Sequence, residues 1–178
     1  GGDAKTITIG GSLIGGSHAG GSTGGARIFV NGVLASITVS GSLLGDAQDS
    51  ARIVLGTDHG SVRINGDIVG GNGDRSGTID SPGMTKSLFI GGSIRGGGGL
   101  GSGSVDGNDA TGKLAIFVGG DVAGGDGDDS GVMDFQNGVS KVTIEGSVIG
   151  GAGSTSGRIE IDQSNSFPGS VLLKGDVR

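Results

Sequence analysis

Carboxylates carry most of the reactive potential of this sequence. The densest run is Gly124-Gly125-Asp126-Gly127-Asp128-Asp129-Ser130-Gly131. Oxygen donors crowded on a glycine-rich loop suit a hard divalent ion, calcium above all. The run partly matches the calcium-binding nonapeptide G-G-x-G-x-D-x-U-x, with Asp129 in the aspartate position. Gly131, however, stands where that pattern wants a large apolar residue. The equivalent loops read GGNGDRSG (70–77), GGGGLGSG (96–103) and GGAGSTSG (150–157), so one loop alone is strongly acidic. A solvated acidic turn is the plainer reading of Asp126, Asp128 and Asp129, and calcium is the sole cofactor they would hold.

A second set of acids recurs through the chain. Asp80, Asp106, Asp134 and Glu160 each follow an apolar residue: Ile79, Val105, Met133 and Ile159. If those apolar residues face inward on stacked strands, the four acids form an outward ladder. Like charges one strand apart repel. The ladder would attract cations or a basic partner, or would simply keep an exposed strand face soluble. Phe89 and Phe117 occupy equivalent outward positions in neighbouring repeats, either as a contact surface or as a cross-strand pair. His18 and His59 lie in different loops without Cys or His at ligand spacing. Arg63 and Arg95 have no obvious carboxylate pair beside them. No catalytic residue is assigned.

What must position these groups is a repeat. The phrase apolar-x-apolar-x-Gly-(Ser/Asp)-apolar returns as ITIGGSL (7–13), ITVSGSL (37–43), VRINGDI (62–68), LFIGGSI (88–94), IFVGGDV (116–122), VTIEGSV (142–148) and VLLKGDV (171–177). A unit recurring every 25–30 residues is the mark of a solenoid. Ile7, Ile37, Val62, Leu88, Ile116, Val142 and Val171 form one aliphatic column, and Ile9, Val39, Ile64, Ile90, Val118, Ile144 and Leu173 form another two residues on. That spacing predicts a short strand with one buried face.

After this strand comes an all-glycine column: Gly11, Gly41, Gly66, Gly92, Gly120, Gly146 and Gly175. A position that admits only glycine needs positive φ or lacks room for a Cβ, as at a sharp corner. The next column holds only Ser or Asp, from Ser12 to Asp176. Both are short acceptors able to bond a nearby backbone N–H at a bend. A serine or aspartate present in every repeat belongs to the scaffold. A second short strand follows at Leu13, Leu43, Ile68, Ile94, Val122, Val148 and Val177. A third is marked by (Ser)-Gly-x-apolar at Ile28, Ile53, Ile79, Val105, Met133 and Ile159. Insertions fall at 17–24, 110–113 and 162–168.

The expectation is an all-β, right-handed parallel β-helix of about six coils, three short strands per coil, occupying residues 1–178 as a single domain cut from a longer array. Parallel crossovers are overwhelmingly right-handed. Strand edges left open at the ends predict end-to-end stacking with another copy or with flanking repeats. Glycine supplies 45 of 178 residues, yet the glycines sit in register with aliphatic columns, which separates the chain from disordered low-complexity sequence. A net charge of −6 disfavours nucleic acid and anionic membranes. No apolar run reaches the ~20 residues of a membrane-spanning helix. Cysteine is absent, so no disulfide fixes the compartment.

The full pattern, φxφxG(S/D)φφGG followed by a loop and SGxφ, resembles the glycine-rich β-helical repeats of large bacterial secreted and cell-surface proteins, adhesin-like and passenger-like stalks among them. The coil is considerably longer than that of the bactofilin filaments, which share a glycine-apolar rhythm. The resemblance implies a fold and an extracellular setting, secreted or on the bacterial surface, but no ligand. The leading functional expectation is a non-enzymatic stalk, spacer or self-associating filament. The alternatives are a calcium- or ligand-binding module using 126–129 and, third, a carbohydrate-active β-helix enzyme.

Overall fold

In the computed structural model the described residues are 4–16, 25–56, 59–108, 113–137, 139–162 and 169–178, and none of them is helical. His18 and most of the three insertions lie outside them. The chain is a parallel β-solenoid of about six coils. The first sheet stacks β1 (Ala4–Ile9), β4 (Leu34–Val39), β7 (His59–Ile64), β10 (Met84–Ile90), β13 (Leu114–Val118), β16 (Val139–Ile144) and β19 (Ser170–Leu173). The second stacks β2 (Leu13–Ile14), β5 (Leu43–Leu44), β8 (Ile68–Val69), β11 (Ile94–Arg95), β14 (Val122–Ala123) and β17 (Val148–Ile149). The third stacks β3 (Arg27–Val30), β6 (Arg52–Leu55), β9 (Ile79–Ser81), β12 (Val105–Asn108), β15 (Met133–Gln136) and β18 (Ile159–Asp162). Each successive group of three strands is one coil; β19 and a bridge from Val148 to Val177 begin a seventh.

The register follows the aliphatic columns. Ile7 pairs with Ile37, Ile37 with Val62, Leu88 with Val62 and Ile116, and Val142 with Val171. In the third sheet Ile53, Ile79, Val105 and Met133 stand in one row. Alternation therefore sends every second side chain into a lumen of Ile, Val and Leu, most of it without solvent contact. Two inward rows were not foreseen. One extends the first strand backward through Leu34, His59, Leu114 and Val139, all buried. The other runs through Leu55, Ser81, Gly107 and Phe135. A Cβ on Gly107 would stand 2.6 Å from Phe135 Cε1, so the missing side chain of one coil houses the ring of the next.

The corner glycines revise one expectation and keep the other. None of the column has positive φ; the constraint is space. A Cβ on Gly92 would lie 2.2 Å from Asp67 Oδ1, and one on Gly146 would lie 2.6 Å from the Gly120 carbonyl carbon. Gly11, in the first coil described, has nothing within 4 Å. The Ser/Asp column explains the crowding. Its acceptors do not close a local bend but reach the next coil. Ser12 Oγ accepts from Ser42 N, and Ser42 Oγ from Asp67 N. Asp67 Oδ1 accepts from Ser93 N, Ser93 Oγ from Asp121 N, Asp121 Oδ1 from Ser147 N and Ser147 Oγ from Asp176 N, at 2.7–3.0 Å. The glycine leaves room for the acceptor of the preceding coil, so the two columns are one device.

Positive φ occurs instead just before the third strand. Gly77, Gly103, Gly131 and Gly157 have φ of 61–64°, with Ala51 in the same row at 48°. The preceding serines Ser76, Ser102, Ser130 and Ser156 turn inward, and each Oγ accepts from a backbone N–H five residues earlier at 2.9–3.0 Å. A second left-handed residue lies two positions before each of these (Asp49, Arg75, Gly101, Asp129 and Thr155). This double turn folds the loop back beside the outer face of the third sheet.

Candidate functional site

The outer face of the third sheet, with the loop lying alongside it, carries a dense group of charged residues. Two outward rows belong to the sheet: one holds Arg52, Thr78, Ser104, Val132 and Arg158, the other Asp80, Asp106, Asp134 and Glu160. The four acids pair strand to strand in register, Asp80 to Asp106 to Asp134 to Glu160, as the sequence predicts. Register spaces their backbones at ~4.8 Å.

Their surroundings are not uniform. At the near end Arg52 donates from Nε to Asp80 Oδ2 at 2.6 Å and pairs through Nη1 with Asp49 Oδ1 at 2.5 Å. Asp49 is 5% exposed and also meets Arg27 at 3.2 Å and Arg75 at 3.3 Å. This nearly buried carboxylate lies under three guanidinium groups on the outer face, apart from the aliphatic lumen. At the far end Arg158 Nη1 lies 2.6 Å from Glu160 Oε2, and its Nη2 lies 3.5 Å from Asp129 Oδ1.

Between these ends small residues replace the arginines. Thr78 and Ser104 stand in the arginine row, each hydroxyl donating to the backbone carbonyl three residues earlier, and Gly101 occupies the row of Asp49 and Asp129. The space they vacate is a groove of about 490 Å³ with Ser104 and Val132 on its floor and Asp106 and Asp134 along one side. Although Asp106 meets solvent, crowding by the groove walls, then the charges of Asp80 and Asp134 and a hydrogen bond with Asp80, push its carboxyl up to about 7; Arg52 acts weakly the other way. Asp134 is raised as well, first by partial burial and then by Glu160, with Arg158 opposing.

Two carboxylates of the acidic loop bond to the next coil. Asp126 is exposed; Asp128 Oδ1 accepts from Ser154 N at 2.8 Å, and Asp129 Oδ1 accepts from Thr155 Oγ1. The same role falls to Asp74, which accepts from Leu100 N at 3.0 Å. Among the described residues no group of three or more His, Cys, Asp or Glu is arranged to hold a metal ion. His59 sits in the lumen, its Nε2 2.7 Å from the Gly56 carbonyl. Arg95, left without a partner by the sequence reading, lies 3.4 Å from Asp67 Oδ1. Phe89 and Phe117 stack on each other with centroids 5.1 Å apart and planes within 10°, and Arg63 caps Phe89 at 3.8 Å from its centroid. They satisfy one another across strands. Asp49 was missed because its partners come from three coils; the Arg27/Arg52 row at the start of the third strand was the available signal.

No protein-family profile, curated protein or solved structure matches this chain.

Proposed function

We propose that this chain is a non-enzymatic structural module: a stiff stalk or spacer of an extracellular bacterial protein, adhesin-like in kind, that joins end to end with further coils. The observation that carries the reading is the unbroken Ser/Asp ladder, which ties every coil to the next by the same bond. Such uniformity serves reach and stiffness, since solenoid stability sums over neighbouring coils. Lumen-row side chains uncovered at the two ends support the second part. Val171 and Val177 are exposed at one end, and Ile7 and Ile9 are only partly buried at the other. A copy whose β1 pairs with β19 would lay Ile7 and Ile9 over Val171 and Leu173, continuing both aliphatic columns. Such a head-to-tail contact need not close into a ring.

Light scattering of the 178-residue chain over a hundredfold concentration range tests the association. Growth into linear multimers is expected, and lysine at Ile7 and Leu173 should abolish it by burying charge at the junction. A chain that stays monomeric throughout removes the self-association. Protease accessibility of the protein on intact cells tests the extracellular placement.

A further inference from the structure

The third sheet contains a stretch where the stacking of coils itself works against charge. We propose that Asp80, Asp106 and Asp134 form a proton-operated latch across coils three, four and five: a proton held by Asp106 and shared with Asp80 keeps this part of the rod closed, and its loss loosens it. The register leaves no freedom here. β9, β12 and β15 must place their acids side by side because Ile79, Val105 and Met133 are locked in the lumen on the opposite face. Moving one acid away would slip a strand by one residue and turn its apolar side chains outward.

Each charged group that faces Asp106 can be named. From β9 comes Asp80 and from β15 comes Asp134. Arg52 of β6 is already engaged by Asp80 and Asp49. Around the groove stand Asp74, Arg75, Asp129 and Arg158, of which Arg75 is turned to Asp49 and Arg158 to Glu160 and Asp129. Asp134 in turn faces Glu160, Asp129 and Asp162. No arginine forms an ion pair with Asp106 among the described residues, because Thr78 and Ser104 hold the positions that Arg52 and Arg158 occupy elsewhere. A neutral Asp106 carboxyl donates its O–H to the Asp80 carboxylate and breaks the run of like charges. Release of that proton to solvent leaves three adjacent carboxylates, with Arg52 paired at the Asp80 end and Arg158, turned to Glu160 and Asp129, acting on Asp134 at the other.

The sign follows from linkage. A carboxyl that holds its proton to higher pH in the folded chain than in the unfolded one makes folding more favourable as pH falls through about 7 toward 4. That is opposite to the usual acid loss of stability. Because Asp106 is open to solvent, screening keeps the effect modest.

The test is thermal melting of the chain and of Asp106→Asn between pH 5.5 and 8.5, with Asp126→Asn as the control. The wild type and Asp126→Asn should lose about 3 °C or more in Tm toward alkaline pH. Asp106→Asn, which is neutral and still donates to Asp80, should be flat by comparison and more stable than wild type at pH 8.5. Histidines ordinarily titrate over the same interval, so the decisive quantity is the difference between wild type and variant. Equal slopes in the two overturn the latch. Amide hydrogen exchange, corrected for intrinsic rate, should also quicken in β9, β12 and β15 above pH 7 in the wild type. Should Asp106→Asn fail to fold, carboxyl ¹³C titration of the wild type decides: an Asp106 midpoint near that of ordinary aspartate sinks the proposal.

Discussion

The corner of the first sheet and the outer face of the third are built from the same coils under opposite rules. At the corner every coil repeats glycine and a short acceptor, and the bond passes upward without exception. On the outer face the equivalent positions change from Arg to Thr, Ser, Val and back to Arg, and each coil meets different charges. Repetition marks what one coil must do for its neighbour. Variation marks where a coil has its own environment: a nearly buried Asp49 under arginines, an open groove, an Asp106 with raised proton affinity. The first region makes a rod, and the second gives its length distinct segments.

The widest contrast should come from substituting glycines within the corner column. Gly92→Val or Gly146→Val must displace a preceding-coil acceptor or its backbone, and should cost about 3 kcal/mol or more. Gly11→Val, in open space, should stay within about 0.5 kcal/mol of wild type in urea unfolding. Equal losses at Gly11 and Gly92 would return the column to a backbone-conformation explanation.

Next in size is the charged face. Asp49→Ala leaves Arg27, Arg52 and Arg75 facing one another and should cost about 2 kcal/mol. The loss falls short of a fully buried pair because Arg27 and Arg75 reach water. High salt should narrow the difference by screening the arginines. A neutral result would mean that the cluster adds nothing beyond surface pairing.

The smallest effect is expected at the acidic loop. Replacing Asp126, Asp128 and Asp129 together by Asn keeps oxygen acceptors for Ser154 and Thr155, so stability should move by no more than about 0.5 kcal/mol. Calorimetry with millimolar calcium sharpens the comparison. A saturable heat present in the wild type and lost in the variant gives the loop a cation site, whereas two flat traces leave it as a turn.

What the sequence made legible, and what it hid, divides along the same line. Columns such as Ile7 to Val171 or Ile28 to Ile159 could be stacked by eye because each coil needs the same inward residue, and the acidic ladder followed from them. The physical cause of the glycine column could not be read, since the colliding atom belongs to a residue some 26 positions away in a different coil. Asp49 was hidden for the same reason, its partners being Arg27, Arg52 and Arg75. Phe135 sits where a side chain on Gly107, 28 residues away in the preceding coil, would collide with it, a relation no single repeat displays. Local chemistry shows in a single repeat, but chemistry between repeats shows once they are stacked.

The Ser/Asp ladder has one more consequence, for how such a rod changes over generations. Each coil carries a plug, its backbone N–H, and a socket, its side-chain oxygen, in matching positions. Removing or duplicating a whole coil therefore restores every bond across the cut, while removing half a coil restores none. Rod length is an integer quantity, altered in steps of ~4.8 Å. A slip of one coil in the gene lengthens or shortens the reach of the protein and leaves its cross-section unchanged.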